Sequence, residues 1–425
     1  MSEAIRQRQP VVPREYLIPF ILLCSLFAAW GLANNLTDVL LATFRRIMSM
    51  SDFQTSWIQI AFYGSYFCLA LPAAVFIRRY TYKAGVLLGL GLFAAGALLF
   101  YPASQTMVYW HFLAALFILA GGLSILETSA NPYVIVLGPA ETATRRLNLA
   151  QSFNPIGSIA GVIIGKVFIL SRLNQASEAD RAAMAVEQLQ AVQTAELSAV
   201  MGPYVFIAAI IIGVWVTIAL VRFPRAAEAE TSSLSATLAR LMRIRHYRLG
   251  VVAQFFYVGA QIGVWSFTIR YVMHNLGLDE QAAATYYLAS IILFAVSRFV
   301  CTALMKYAAP QAILRTLALL AVALSVCVVL VGGPAGAYAL VALSACMSLM
   351  FPTIYGLAVV GLGDDTKIGG AGLIMAILGG AVITAVQGSV SDALGIEMAY
   401  LVPLACFLVI AYYGVRGWKP DGLTA

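Results

Sequence analysis

The residues whose types could carry chemistry are two carboxyls that lie inside long apolar stretches. Of the 19 Asp and Glu residues, only Asp38 and Glu127 lie within such stretches and away from their ends. An acidic side chain is costly in hydrocarbon, so its presence there indicates a functional site. Asn34 lies four residues before Asp38 and Asn131 four residues after Glu127. Each helix face therefore offers a carboxyl beside a carboxamide.

More carboxamides follow in the next apolar stretch. Asn148, Gln151 and Asn154 are spaced by three residues and lie roughly on one helix face. Together with the carboxyls they accept and donate hydrogen bonds, which suits a ligand that carries many hydroxyl groups. A metal ion suits this set of side chains poorly. The alternative interpretation of a single amide is that it holds neighbouring membrane helices together.

Aromatic and amide residues in the second half of the chain would complete such a site. Tyr257, Gln261 and Trp265 are spaced by four residues. Three further tyrosines follow at Tyr286, Tyr287 and Tyr355. Apolar ring faces stack on the C–H faces of sugars, while the polar tips of Tyr and Trp form hydrogen bonds. The alternative role of such a ring near the end of a helix is to anchor the helix at the membrane–water interface.

The basic residues inside apolar stretches are Lys166, Arg270 and Arg298. We interpret the two arginines as snorkelling or paired, with a functional role as the alternative. Lys166 follows glycines at 157, 161 and 165, a spacing that favours close helix packing and does not match a phosphate-binding loop.

Cysteine and nucleophile patterns predict no further chemistry. The six cysteines are scattered through apolar runs without paired spacing, which favours neither a disulfide nor a metal site. No catalytic cluster or nucleotide-binding motif is present in the sequence. We therefore predict a protein that is not an enzyme, with no catalytic residue, no metal and no cofactor.

The elements that must position these residues are membrane-spanning helices. Of the 425 residues, 61% are hydrophobic and 11% are charged, far from the composition of a soluble domain. The apolar runs reach or approach the roughly 20 residues that a helix needs to cross a bilayer. They also lack the alternation of transmembrane strands. Twelve spans are predicted, numbered 1 to 12 in chain order, near 16–42, 53–77, 84–102, 107–137, 148–171, 201–222, 249–274, 283–306, 311–332, 336–361, 368–391 and 397–415.

The longest strongly basic connection, Arg222 to Arg248, divides the chain between spans 6 and 7. We predict an N-terminal six-helix bundle at 1–222, a cytoplasmic linker at 223–248 and a C-terminal six-helix bundle at 249–425. The polar segment from Asn174 to Ser198 is predicted to be an external loop helix.

The basic residues also predict the orientation. Placing both termini in the cytoplasm assigns most of the 26 Lys and Arg residues to the cytoplasmic side, as the positive-inside rule requires. The net charge of +7 is spread over short loops rather than gathered on one face, so nucleic-acid binding is not predicted.

Several motifs along the chain resemble one known family. They comprise Ala33–Asp38, Leu126–Pro132, Arg146–Asn154, Arg243–Arg248, Ala253–Phe255, Tyr257–Gln261, Trp265, Phe351–Ile354 and Gly363–Lys367. Together they resemble the fucose permease (L-fucose:proton symporter) branch of the major facilitator superfamily. The resemblance spans both halves of the chain and implies two six-helix bundles around a central cavity, with alternating access by rocking of the halves.

The resemblance also implies the roles of individual residues. Asp38 would carry the proton, and Glu127 would engage both the proton and the sugar. The expected substrate-binding residues are Asn35, Glu127, Asn131, Gln151, Asn154, Gln261 and Trp265. The expected activity is import of L-fucose or a closely related monosaccharide with a proton, by a monomer that crosses the bacterial inner membrane many times.

Two alternatives stay open at the level of the sequence. Related branches take glucose, galactose or amino sugars, and an uncoupled facilitator would bind sugar without a proton. The chain also departs from the superfamily in the loop at 74–83, which keeps the basic end of the usual motif but lacks its first Gly and its Asp.

Overall fold

The computed structural model describes residues 10–47, 52–106, 108–169, 181, 183–223 and 233–420. Side chains are described at these positions except at 36–47, 52–56, 59, 166, 169, 186 and 198–200. All regular elements in this part of the chain are helices. Twelve helical segments are long and apolar enough to cross a membrane, which confirms the predicted fold class and the number of spans.

The spans are a mixture of continuous and interrupted helices. Spans 1 to 4 are Leu17–Ile47, Asp52–Arg79, Tyr82–Thr106 and Tyr109–Val136. Span 5 consists of Ala143–Gln151 and Asn154–Ile164, and span 6 is Val186–Leu220. Spans 7 to 9 are Arg245–Leu276, Glu280–Leu304 and Pro310–Leu330. Span 10 consists of Gly333–Met347 and Met350–Ala358, span 11 of Thr366–Met375 and Gly379–Leu394, and span 12 is Leu401–Tyr412. A short helix, Leu234–Leu241, lies between the halves; we call it the linker helix.

Span 6 begins earlier than the sequence predicts. The polar segment before residue 201 is predicted as a separate loop helix, but the helix of span 6 already begins at Val186. Glu196 in this region pairs with Arg181, and both side chains are 3% exposed. Pairing offsets the cost of the buried charge, so the polar turns continue the helix. Residues 174–180 and 182 lie outside the described residues.

The two halves use the same packing scheme. In the first half, span 1 packs against span 5, span 4 packs against spans 2 and 3, and span 3 packs against span 6. The corresponding pairs of the second half, 7 with 11, 10 with 8 and 9, and 9 with 12, are also in contact. Between the halves, span 2 contacts span 11 and span 5 contacts span 8. The chain is therefore a structural repeat whose two copies meet at a central interface.

Glycines bring spans 1 and 5 into close contact. A Cβ at Gly157 would collide with the carbonyl of Ala28, and one at Gly161 would collide with the carbonyl of Leu32. Gly31 faces the backbone of Asn154 in the same way. Small residues permit such backbone approach in membranes, as the spacing of these glycines predicts. The contact sets the amides of span 1 beside those of span 5.

The loops at one end of the molecule contact one another and carry many basic residues; we call this end the basic face. Lys83 donates hydrogen bonds to the carbonyls of Ala219 and Val221, both at 2.8 Å. Lys367 from the second half lies 5.4 Å from the centroid of the Tyr82 ring of the first. These contacts place the 2–3 and 10–11 loops and the end of span 6 on the same side of the molecule.

Arg146 fastens the start of span 5 to the basic face. Its side chain is fully buried. Its Nε donates to the carbonyl of Val134 at 2.7 Å, its Nη1 to that of Val11 at 3.0 Å, and its Nη2 to that of Ile135. A planar guanidinium presents five donors in a fixed fork, whereas a lysine ammonium has three donors on one nitrogen atom. Arg146 therefore fixes the distance between the end of span 4 and the start of span 5.

Arg146→Lys is expected to lower the stability of the protein by about 2–3 kcal/mol, because carbonyls that now accept from a charged group lose their donors. Thermal unfolding in detergent measures this, with the half-buried neighbour Arg145→Lys as the matched control. Equal melting temperatures for the two variants would contradict the anchoring role.

Candidate functional site

A cavity of about 220 Å3 lies between the two halves. This volume lies below the range of roughly 300–1,000 Å3 that holds drug-sized ligands, so it suits a smaller molecule. Both halves contribute to its wall. The lining residues are Trp30, Asn34, Asn35, Phe62, Tyr63, Tyr66, Glu127, Gln151, Asn154, Pro155, Ser158, Val258, Gln261, Ile262, Trp265, Tyr287, Ile291, Phe294, Arg298, Phe351 and Ile377.

Glu127 is the carboxyl in the wall of this cavity. Its side chain is 2% exposed, and the hydroxyl of Tyr66 from span 2 is its hydrogen-bond partner. Its Oε2 is buried and has no hydrogen-bond partner among the described residues. An ionised carboxylate at such a place is costly unless a donor or a proton satisfies it. The site therefore presents an acceptor that a proton or a ligand hydroxyl can satisfy.

Gln151 is held by residues of both halves. Its Nε2 donates to Oδ1 of Asn131 at 2.7 Å. Its backbone carbonyl accepts from Nη1 of Arg298 at 3.1 Å, and Nε of Arg298 donates to the carbonyl of Ser348. Asn131 is fully buried and is not part of the cavity lining. Asn131 thus positions Gln151 from behind instead of facing the cavity.

The remaining amides of the first half line the cavity where spans 1 and 5 meet. The Nδ2 atoms of Asn35 and Asn154 each make a long hydrogen bond of 3.3 Å to a backbone carbonyl, those of Gly31 and Phe27. Both side chains are half-buried. Asn35 is therefore oriented by its own helix and Asn154 by the backbone of span 1, and both amides line the cavity.

The second half contributes a fixed aromatic wall. The indole Nε1 of Trp265 donates to Oγ of the buried Ser344 at 3.1 Å. Its ring meets Phe294 edge to face, with centroids 5.0 Å apart. Gln261, one helical turn before Trp265, also lines the cavity. A rigid ring next to an amide is a suitable wall for a molecule that has both C–H faces and hydroxyls.

Several residues singled out in the sequence lie away from the cavity. Tyr257 is fully buried and donates to the carbonyl of Met347 at 3.1 Å. Tyr286 is not in the lining, and its ring is tilted against that of Tyr338, with centroids 6.1 Å apart. Tyr355 is also fully buried and is not in the lining. Asn148 does not line the cavity either. It lies in the first segment of span 5, before the interruption that follows Gln151, and there it contacts Thr353 of the other half.

Asp38 lies on the helix of span 1, one turn beyond the cavity-lining Asn34. Residues four apart on a helix share a face, so the backbone places Asp38 on the side of the helix that carries Asn34. Its side chain is outside the described residues, as is that of Lys166. Arg270 lies over the ring of Phe267 at 5.2 Å and does not line the cavity.

The aromatic cluster of span 2 is not predicted from the sequence. Phe62, Tyr63 and Tyr66 line the cavity together with Trp30 of span 1. Their spacing of three and four residues is the only sequence signal for them, and it is also the ordinary pattern of a helix buried against its neighbours. Arg298, interpreted above as mainly structural, both lines the cavity and bridges the halves.

Contacts between the halves close the cavity toward the basic face. Nδ2 of Asn148 donates to Oγ1 of Thr353 at 3.1 Å. The hydroxyls of Ser152 and Thr302 are 3.5 Å apart, and a Cβ at Gly356 would collide with Thr144. These residues lie between the cavity and the ends of spans 5, 8 and 10 at the basic face. In the part of the chain that the structure describes, these contacts separate the cavity from the basic face.

Twelve spans in two matching halves around a central cavity define a membrane transporter. Residues 20–386 match the sequence family of the Major Facilitator Superfamily, and the chain belongs to this superfamily.

Within the superfamily, the chain belongs to the fucose permease family. It is 45% identical to the L-fucose-proton symporter of Escherichia coli over 404 residues, which cover 93% of this chain and 92% of that protein. It is 35% identical to the glucose/galactose transporter of Brucella abortus over 402 residues, 93% of each chain. The crystal structure of FucP in the outward conformation matches with a TM-score of 0.89 and 44% identity, covering 94% of this chain and 99% of FucP.

Proposed function

We propose that this protein imports L-fucose, or a closely related monosaccharide, together with a proton. The observation that carries the proposal is the unpartnered Oε2 of the buried Glu127 in the wall of a small cavity that also holds amides and a fixed indole. The identity of 45% to an L-fucose-proton symporter over nearly the whole chain supports it.

Sugar recognition is assigned to both halves. Asn35, Gln151 and Asn154 offer amide groups to the hydroxyls, and Asn131 fixes the orientation of Gln151. From the other half, Gln261 and Trp265 offer an amide and a ring face. A ligand that contacts both halves favours the state in which they close around it, which couples binding to the conformational change.

Proton coupling is assigned to Asp38 and Glu127. Glu127 is the carboxyl that touches the ligand, and Asp38 exchanges the proton one helical turn further along span 1, away from the basic face. Titratable carboxyls inside spans are the groups from which proton relays in transporters are built. The protein thereby takes up a proton and a sugar from the same side.

The described conformation fits the first half of an alternating-access cycle. The cavity is closed toward the basic face, so sugar and proton enter from the opposite side. Release requires that the contacts between Asn148 and Thr353 and between Ser152 and Thr302 separate. We assign the basic face to the cytoplasm, with both termini on that side, because positive residues resist translocation. The proposed unit is a monomer in the bacterial inner membrane.

A second candidate is transport of glucose or galactose, which the 35% identity to a glucose/galactose transporter favours. L-Fucose is 6-deoxy-L-galactose, so it lacks the C6 hydroxyl of D-galactose and also has the mirror-image configuration at its ring carbons. An apolar patch of the wall where C6 lies favours fucose, while an amide there favours galactose, since an unpaired buried polar group is penalised. An uncoupled facilitator would not need a buried carboxyl in its cavity.

Adding L-fucose to lightly buffered, de-energised cells that produce the protein is expected to make the medium more alkaline, because protons leave it with the sugar. A pH electrode records the change, and D-glucose and D-galactose are added in parallel. Cells without the protein are the control. A response to glucose or galactose but not to fucose would show that the substrate is one of those sugars instead. Uptake of labelled fucose without a pH change would overturn proton coupling.

A further inference from the structure

A second, larger cavity opens at the basic face, apart from the central site. Its volume is about 850 Å3, and it lies between the linker helix, spans 7, 11 and 12, and Phe67 of span 2. We call it the lateral groove. Its wall is mainly apolar and contains Leu238, Met242, Val252, Phe255, Phe256 and Met375. Because Phe67 comes from the first half, the lateral groove touches both halves of the molecule.

Positive charge lies at the mouth of the lateral groove. Arg245 and Arg248 both line it, and both are exposed. Nη2 of Arg245 donates to the hydroxyl of Tyr412 at 3.2 Å, which holds its guanidinium at the opening. The nearby Arg240 pairs with Asp365 at 2.7 Å, and this hydrogen bond raises its pKa. The carboxylate of Asp365 is thus already engaged by Arg240.

The depth of the lateral groove matches one leaflet of a bilayer. Arg245 begins the helix of span 7, and Phe256 lies further along the same helix. At a rise of about 1.5 Å per residue, the distance between them along the helix is about 16 Å. Half of a hydrocarbon core of about 30 Å is about 15 Å. The arginines therefore lie at headgroup level when Phe67 and Phe256 lie near the middle of the membrane.

We propose that the lateral groove binds one anionic phospholipid. Its phosphate pairs with Arg245 and Arg248, and one acyl chain lies along Val252 and Phe256 toward Phe67. Guanidinium groups bind phosphate by paired hydrogen bonds, and basic pockets between helices at the cytoplasmic side are suited to anionic headgroups. An apolar channel of leaflet depth below two exposed arginines fits a phospholipid in both its charged and its apolar part.

Occupation of the lateral groove would also affect movement of the halves. An acyl chain between Phe67 of span 2 and the phenylalanines of span 7 is in contact with surfaces that shift during alternating access. A ligand with different affinity for two conformations shifts their populations. The lipid therefore acts on transport without touching the sugar cavity, and lipid binding itself does not depend on the function proposed above.

The test measures lipid binding directly. The purified full-length protein is titrated with short-chain phosphatidylglycerol, and the bound lipid is counted by native mass spectrometry. The double variant Arg245→Gln/Arg248→Gln is expected to bind about 25-fold more weakly, since each basic residue near a membrane contributes about five-fold. The matched control is Lys306→Gln/Arg315→Gln, which removes the same charge from the same half, at exposed positions that do not line the groove.

A second variant tests the apolar wall of the lateral groove independently of its charges. Val252→Trp is expected to block the channel and to abolish the one-lipid peak without a change of charge. Transport is then compared in vesicles of phosphatidylcholine alone and with added phosphatidylglycerol. Wild-type and control proteins should be faster with phosphatidylglycerol, and the arginine variant should not respond. Equal lipid binding by the arginine and control variants overturns the proposal.

Discussion

Asp38→Asn is expected to abolish the accumulation of L-fucose against a gradient, while exchange of labelled for unlabelled sugar across the membrane continues. An amide has nearly the shape of a carboxyl but cannot take up and release a proton. Asp38 lies one helical turn from the cavity-lining Asn34, so the change leaves the sugar contacts of the cavity in place. Uptake in energised vesicles and counterflow in de-energised vesicles measure the two activities separately.

The matched control for this result is Asp392→Asn. Asp392 is exposed near the end of span 11 that points away from the basic face, and it does not line the cavity. This variant should accumulate fucose like the wild type. Wild-type accumulation by Asp38→Asn would contradict its role as proton carrier. Loss of counterflow as well would show that Asp38 supports binding of the sugar instead.

The number of spans could be predicted from the sequence because hydrocarbon thickness sets the length of an apolar run. The interruptions inside spans could not. Span 5 is interrupted between Gln151 and Asn154, and span 10 between Met347 and Met350. Each interruption lies where the two halves meet, and the contacts there involve residues from distant parts of the sequence. A local pattern does not contain that information.

The polar half of the candidate site could also be predicted. A carboxyl within a span is so costly that its presence identifies the cavity, and this reasoning selects Glu127 without a structure. The sequence does not distinguish which neighbouring amides reach the cavity, since Gln151 lines it whereas Asn131 lies behind Gln151. Both side chains lie on inward faces, and only the packing of span 4 against span 5 decides which of them reaches the ligand.

Aromatic residues are the part that the sequence leaves undetermined. Tyr66 and Tyr257 are both nearly or fully buried tyrosines of apolar spans. Tyr66 contacts Glu127 in the cavity wall, whereas Tyr257 donates to the carbonyl of Met347 inside the second bundle. Their neighbours in sequence do not distinguish the two roles. The difference arises from which helix face meets the interface between the halves.

The geometry around Glu127 supports the proposal that sugar binding and proton binding depend on each other. Tyr66 satisfies one side of the carboxyl, and Oε2 is left without a partner in the described part of the chain. In the proposed function, a proton or a sugar hydroxyl supplies the missing partner. When two ligands change each other's affinity at one site, the effect is reciprocal. The affinity of the wild-type protein for L-fucose should therefore change with pH.

Glu127→Gln is expected to make that affinity independent of pH and about ten-fold or more weaker, because the amide has no charge to gain or lose and replaces an acceptor by a donor next to the sugar. Calorimetric titration of the purified protein with L-fucose over a range of pH measures both effects. The matched control is Glu141→Gln, which changes an exposed carboxyl just beyond span 4 and should keep the wild-type affinity and its pH profile. A Glu127→Gln profile parallel to that of the wild type would mean that another group senses the proton in the binding step, and unchanged affinity would mean that the sugar does not reach Oε2.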